Sequence, residues 1–295
     1  MTGFVGLLVV LAAAASAELT VATYNIENYT LANRMVDGVY REGYPKPEKE
    51  RRALTRVIAA IAPDILAVQE MGTQVFLNEL QLELRQAGMN YPHVALLEAA
   101  DKDRHVAVLS KVPFKEVRRH ADLAFTYFGE RERVRRGALE VVVATDQGDL
   151  SLFVLHLKSK YTERKDDPEA ALKRAMEAEA VRDLVLSRFP EPTKAMFMVC
   201  GDWNDTRGTR PVRALQKRGE TAIGELVPAS DSRGETWTHY FRREDLYSRI
   251  DYLMVSPGLK AWVPGTGATI YDGEHAEEAS DHRPVWVTLK LDAVK

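Results

Sequence analysis

Ala195 to Asp205 reads AMFMVCGDWND, an apolar run that ends in Gly201-Asp202 and, two residues on, Asn204. A short apolar run bounded by turn formers is a buried strand. A carboxylate and an amide at its end are costly to bury without a partner or a cation. The same arrangement recurs along the chain. Leu19 to Tyr24 (LTVATY) alternates, is rich in β-branched residues and runs into Asn25. Ile65 to Gln69 (ILAVQ) runs into Glu70, and the strand Leu150 to Leu157 carries His156 near its end. Asp251 lies at the start of the strand Ile250 to Val255, and Asp281-His282 precedes the strand Val285 to Leu291. Each of these polar residues has an ordinary explanation on its own: a turn amide at Asn25, a helix cap at Glu70, a satisfied core histidine at His156, an Asx turn in GDWND, a pair with Arg249 or a strand cap at Asp251, and a turn cap at Asp281. Together they predict one wet, charged pocket at a sheet edge.

Further strands are expected at His105 to Leu109 and Gly137 to Ala144. Leu54, Val57, Ile58 and Ile61 give helical spacing that Pro63 ends; Phe76, Leu80 and Leu84 mark a second helix, closed by Gly88. Asp166-Asp167-Pro168 starts a third, running to about Phe189, with Leu172, Met176, Ala180 and Leu184 on its apolar stripe. Its Arg174, Glu177, Glu179 and Arg182 read as a solvated face. Asn33 to Lys49 is polar and reads as a loop. Strands and helices interleave, yet consecutive strands also occur, so the chain reads as one α/β domain with mixed sheets.

Of the 295 residues 45% are hydrophobic and 28% charged, which excludes a collagen, a disordered chain and a polytopic membrane protein. A formal net charge of −3 supplies no global field for a polyanion, so any such binding falls to a local patch. The basic run Arg131, Arg133, Arg135 and Arg136 is one candidate, and Lys158, on the same side of an extended segment as His156, is another. Trp203, Trp237 and Tyr240 are assigned to core or rim packing rather than to stacking on a base or a lipid headgroup. Cys200 is the only cysteine, so no internal disulfide forms. Phe4 to Ala15 followed by Ala15-Ser16-Ala17 reads as a signal peptide, although Met1 to Phe4 carries no Lys or Arg. The run is too short to span a bilayer. The expectation is a secreted or periplasmic monomer, residues 18–295, with no stable membrane association after cleavage.

The blocks TYNIENY, ILAVQE, VLHLKS, GDWND and SRIDYLMV followed by SDHRPV, in that order over nearly the whole mature chain, resemble the endonuclease/exonuclease/phosphatase superfamily, the DNase I-like proteins. The resemblance implies a four-layer α/β/β/α sandwich with two mixed sheets. It implies that Asn25, Glu70 and Asp281 form a metal region, whose hard oxygen donors suit Mg²⁺ or Mn²⁺. Asp202 and Asn204 would orient or activate the attacking water and contact the scissile phosphate. Asp251 would polarise His282, which would act as base or stabilise the charged transition state. His156 would assist proton transfer to the leaving oxygen. An arginine before the strand GALEVVV, either Arg135 or Arg136, would contact phosphate, with Lys158 as a further contact. His156 stands where abasic-site endonucleases usually carry Asn, and GDWNDT replaces the GDLNYR of inositol phosphatases, so both subgroups fit less well. The implied activity is metal-dependent hydrolysis of a phosphodiester, with nucleic acid the expected substrate. A lipid or small-molecule phosphodiesterase, or a phosphomonoesterase, is the alternative. A non-catalytic module would be expected to lack one of His156, Asp202, Asn204, Asp251 or His282, and none is missing. The chemistry agrees: a divalent ion offsets the phosphate charge that carboxylates alone would repel, and two histidines titrate near neutral pH.

Overall fold

Two parallel strand pairs organise the chain, which a computed structural model describes over residues 18–291. Val21 to Asn25 lies beside Ile65 to Gln69, and Ser151 to His156 beside Phe197 to Asp202. Each pair sits inside a larger mixed sheet. The first has the order Ala229–Ser230, Ala268–Ile270, Val285–Lys290, Glu18–Tyr29, Ile65–Met71, His105–Ser110, His93–Leu97. The second runs Glu225–Leu226, Asp251–Val255, Phe197–Asp202, Gly148–His156, Ala138–Thr145, Phe114–His120. The predicted signal peptide lies outside the described residues.

Alternation along the strands sorts the apolar side chains. Val21, Ala67 and Val108 of the first sheet pack against Val141, Val154 and Cys200 of the second, which makes the inter-sheet core. The opposite face of the first sheet, with Leu66 and Val68, packs on the helices Glu48–Ile61 and Gln74–Gln86 through Leu54, Ile58, Leu77 and Leu80. The outer face of the second sheet, with Phe153, Leu155 and Val199, packs on Ala171–Arg188 and Arg210–Gln216 through Val181, Val185, Val212 and Leu215. Trp203 is fully buried in this last cluster.

Three expectations need correction. Residues 33–49 are not a loop: Ala32–Val36 and Val39–Tyr44 form a β-hairpin, and Glu48 already begins a helix. Asp37-Gly38, with φ of 50° and 76°, makes the tight turn. Phe114–His120 is a strand that the hydrophobic pattern does not announce, because it is the edge strand of its sheet and largely open to solvent; His93–Leu97, the edge strand of the other sheet, is a further strand, with Ala95, Leu96 and Leu97 buried. The buried stripe of the Ala171–Arg188 helix is Arg174, Ala175, Glu177, Ala178, Val181 and Val185, whereas Leu172, Met176, Ala180 and Leu184 are only half buried. Asp167 does cap this helix, its carboxylate accepting from the Leu172 and Lys173 amides at 2.8 and 3.0 Å. A 3₁₀ turn over Pro168–Ala170, with Glu169 and Ala170 left-handed, separates cap from helix and turns its face.

Candidate active site

In each parallel pair the two strands finish at the same edge, which is where α/β sheets build their crevices. Register then does most of the assembly: Asp202 lies opposite His156 on one side and Asp251 on the other. Asp202 is 2% exposed and is the hub. Its Oδ2 accepts hydrogen bonds from Asn25 Nδ2 at 3.0 Å and Asn204 Nδ2 at 3.2 Å. The same oxygen lies 3.5 Å from His156 Nε2 and 3.9 Å from His282 Nε2. Its Oδ1 accepts the Asn204 amide at 2.8 Å. Gly201 is required here. Its φ is 133°, and a Cβ would collide with the Leu155 carbonyl oxygen across the pair.

Asn25 Nδ2 also reaches Glu70 Oε1 at 3.4 Å, and Glu70 Oε2 accepts the Asn28 amide at 2.9 Å. His282 Nδ1 sits 2.9 Å from Asp251 Oδ2. Ser280 Oγ donates to the Asn25 carbonyl at 2.8 Å, so the loop carrying Asp281 and His282 is tied to the first strand. Asp281 Oδ1 lies 4.0 Å from His282 Nε2, and its Oδ2 lies 3.7 Å from His239 Nε2. All eight predicted catalytic and metal residues thus belong to one connected network. Glu27 (φ 46°), Asn28 (51°), Glu70 (61°) and Asn204 (52°) hold left-handed conformations around it, a cost that β-carbon residues bear where the surroundings fix them.

Charge is unevenly distributed. Burial, and the neighbouring Arg136 and His282 cations, hold His156 well below the usual histidine range, so it is neutral. Burial also opposes a charge on His282, but Asp251, Asp202 and Asp281 outweigh it and raise the imidazole well above the usual range. Burial and the Asp251 charge push the Asp202 carboxyl up to about 7. Glu27 rises to about 7 through burial and the charge of Asp281, whose backbone amide it accepts at 3.2 Å. Asp281 goes the other way: burial is outweighed by the hydrogen bond from His239 and the charge of His282.

The phosphate-contact candidates form a cationic flank. Arg136 Nε and Arg135 Nε lie 2.9 and 3.1 Å from one oxygen of buried Asp101. Arg136 is buried, while the Arg135 side chain is half exposed. Lys158 turns its ammonium to its own loop, donating to the Ser159 carbonyl at 2.9 Å and to the Tyr161 carbonyl. Burial together with Arg136 and Arg135 pushes it down to about 8. Sequence reasoning missed what holds this flank. Glu177, fully buried, accepts the backbone amides of Arg135 at 3.0 Å and Lys158 at 2.7 Å. Arg174 bonds Asp205 Oδ2 at 2.9 Å and the Lys158 carbonyl at 3.1 Å. Neither residue lies on a solvated face. Arg104 was missed too; it donates to Asn28 Oδ1 at 2.7 Å and lies 3.9 Å from Glu70.

The donor set fits a hard divalent cation. Glu70 and Asp281 would supply carboxylate oxygens, with Glu27 as a further carboxylate beside Asp281; Asn25 turns its Nδ2 to Glu70 and its Oδ1 accepts the Glu27 amide at 3.1 Å, so it would ligate with its amide reversed. Burial first, and then the charges of Asp251 and Asp281, raise Asp202 and Glu27 to about 7, a cost that a bound cation would relieve. His156 Nδ1 and Asp251 Oδ1 are buried without a protein partner among the described residues. A cavity of about 670 Å³ adjoins the network at Glu27 and Asp281, and Tyr44, Glu50, Tyr240 and Arg242 help to wall it.

A mixed α/β sandwich with carboxylates, amides and imidazoles meeting at its strand ends defines a hydrolase of the type that uses a divalent metal. The model of the endonuclease/exonuclease/phosphatase family matches residues 22–282, and the chain belongs to that family. No curated protein sequence matches it. Among solved structures, it resembles beta toxin from Staphylococcus aureus at TM-score 0.62 and 14% identity, covering 91% of this chain and 99% of that one. Sphingomyelinase C from Streptomyces griseocarneus gives 0.61 and 16%, covering 92% and 99%. The human Nocturnin catalytic domain with bound sulfate gives 0.64 and 15%, covering 92% and 94%. A mutant beta toxin structure holds bound magnesium ions. At these identities the likeness establishes the fold.

Proposed function

We propose that this protein is an exported, monomeric, Mg²⁺- or Mn²⁺-dependent phosphodiester hydrolase whose substrate is nucleic acid. The observation that carries the reading is the convergence on Asp202 of Asn25, Asn204, His156 and His282 from separate strands and loops. Asn25, Glu70 and Asp281 would hold a divalent ion, which would supply charge neutralisation at the phosphate and the leaving oxygen. Asp202 accepts the proton of the attacking water, a role suited to a carboxyl titrating at about 7. Asn204 helps to orient that water. His282, kept cationic by Asp251, stabilises the charge that develops on the phosphoryl oxygens. His156 assists proton transfer to the leaving oxygen.

Arg104, Arg135 and Arg136 make one side of the site cationic, which supports a polyanionic strand there. A second reading is favoured by the adjoining cavity, whose wall carries Glu27, Glu48, Glu50, Glu277 and Glu278 against Lys49, Arg242 and Arg243. That wall suits a lipid or small phosphodiester with a cationic arm. The test is a panel of DNA, RNA, a phosphocholine diester and p-nitrophenyl phosphate, each with Mg²⁺ or Mn²⁺, using wild type, Asp202→Ala and His282→Ala. Turnover of DNA or RNA that both substitutions abolish is the expected result. Preference for the phosphocholine ester selects the second reading, and turnover indifferent to both substitutions overturns the mechanism.

A further inference from the structure

We propose that His239, Asp281 and His282 form a Zn²⁺ site at the mouth of the active centre, and that zinc bound there switches hydrolysis off. His239 lies on the hairpin strand His239–Phe241 and bridges His282 through an isolated antiparallel backbone pair. That pairing stands the two imidazoles side by side, ring centroids 4.5 Å apart. His239 Nε2 lies 3.7 Å from Asp281 Oδ2, and His282 Nε2 lies 4.0 Å from Asp281 Oδ1. All three ligand atoms lie within 4.8 Å of one another. Zinc bonds of about 2.0–2.1 Å in a tetrahedron put ligands roughly 3.4 Å apart, so the separations need to contract by at most about 1.4 Å, within reach of rotamer adjustment.

An independent feature points the same way. His282 Nδ1 is engaged at 2.9 Å by Asp251, which orients the ring and leaves Nε2 as the ligand atom. A carboxylate behind a histidine is the usual support of a zinc-bound imidazole. Two imidazole nitrogens and one carboxylate oxygen suit zinc, whereas magnesium takes oxygen donors. His239 and Asp281 are half open to solvent, so an ion can enter and a water can complete the tetrahedron.

The inhibitory part rests on the hydrolytic reading. Zinc on His282 Nε2 removes the group that faces the phosphate, and zinc on Asp281 takes a donor from the magnesium region. His239 has no role in the hydrolytic steps. The binding part stands by itself and is tested first, by competition of the whole protein with a chromophoric zinc chelator in excess Mg²⁺. Wild type should bind one Zn²⁺, and His239→Ala and His239→Asn should each weaken binding by at least about tenfold. His93→Ala, at the far end of the first sheet, should not. The half-inhibitory zinc concentration, measured against each variant's own zinc-free rate, should rise by the same factor. Equal zinc affinity with and without His239, or no binding by wild type, overturns the site. Zinc bound through His239 without inhibition overturns the switch. Failure to find any hydrolysis leaves the binding result intact and counts against the hydrolytic reading alone.

Discussion

Replacing Asp251 by Asn isolates the electrostatic part of the proposed chemistry. Asp251 Oδ2 lies 2.9 Å from His282 Nδ1, and the two side chains are 1% and 6% exposed. Opposite unit charges with centres about 4 Å apart, at an effective dielectric of about 20, attract by about 4 kcal/mol. If that attraction sustains an imidazolium in the transition state, its loss lowers kcat by roughly a thousandfold. Asparagine keeps the size, and its amide can also present a donor to Nδ1 and so fix the wrong tautomer. The fold should survive, because removing the carboxylate also removes a charge that repels Asp202. The assay is steady-state hydrolysis of bis(p-nitrophenyl) phosphate with Mg²⁺, alongside thermal unfolding. A kcat within about threefold of wild type, in a folded variant, would refute the argument.

Asn204→Ala should destabilise the protein by roughly 1–3 kcal/mol, since it deletes the bonds to the Leu157 carbonyl at 3.0 Å and to Asp202, and keeps a β-carbon at φ 52°. Asn204→Gly should recover about 1 kcal/mol of this, read by calorimetry. Glu177→Ala should cost about 3 kcal/mol by leaving the Arg135 and Lys158 amides without an acceptor, and should raise KM for an anionic substrate. Glu177→Gln, whose single amide oxygen can serve only one of the two N–H groups and sets an NH2 donor against the other, should recover part of the loss at most. Without metal, stability should fall as pH rises from about 6.5 to 7.5. Asp202 and Glu27, raised to about 7, and His282, raised further, all bind more protons folded than unfolded across that window. His156, held low, works in the opposite sense mainly below the ordinary histidine value of about 6.5, and Lys158, pushed down to about 8, does so only toward higher pH. Unfolding temperatures in EDTA should show this decline, and Mg²⁺ should flatten it; a rise with pH in EDTA would contradict the charge assignment.

Much of the site was legible because its residues sit at the ends of apolar runs, and apolar runs are what a sequence displays best. ILAVQE and MFMVCGD are buried on both faces, so their terminal carboxylates stand out against them. Phe114–His120 (FKEVRRH) was invisible for the converse reason: at a sheet edge, charged side chains replace the apolar alternation. The hairpin of residues 32–44 had a local signal, Asp37-Gly38 between valines, outweighed by the surrounding polar composition. Arg174 and Glu177 looked solvated because burial of a charged helical residue depends on partners remote in the chain, here Asp205 and the backbone amides of Arg135 and Lys158. His239 carried no local signal. Only the backbone bridge to His282 brings it to the site.

Metal dependence of phosphodiester cleavage tests the central claim most directly. The rate of hydrolysis of the preferred diester is measured before chelation, after EDTA, and after Mg²⁺ is returned, for wild type and Glu70→Gln. The account predicts loss of the rate on chelation, recovery on return of the ion, and a raised Mg²⁺ requirement in the variant. An undiminished rate in EDTA, or a variant with the magnesium response of wild type, would contradict it.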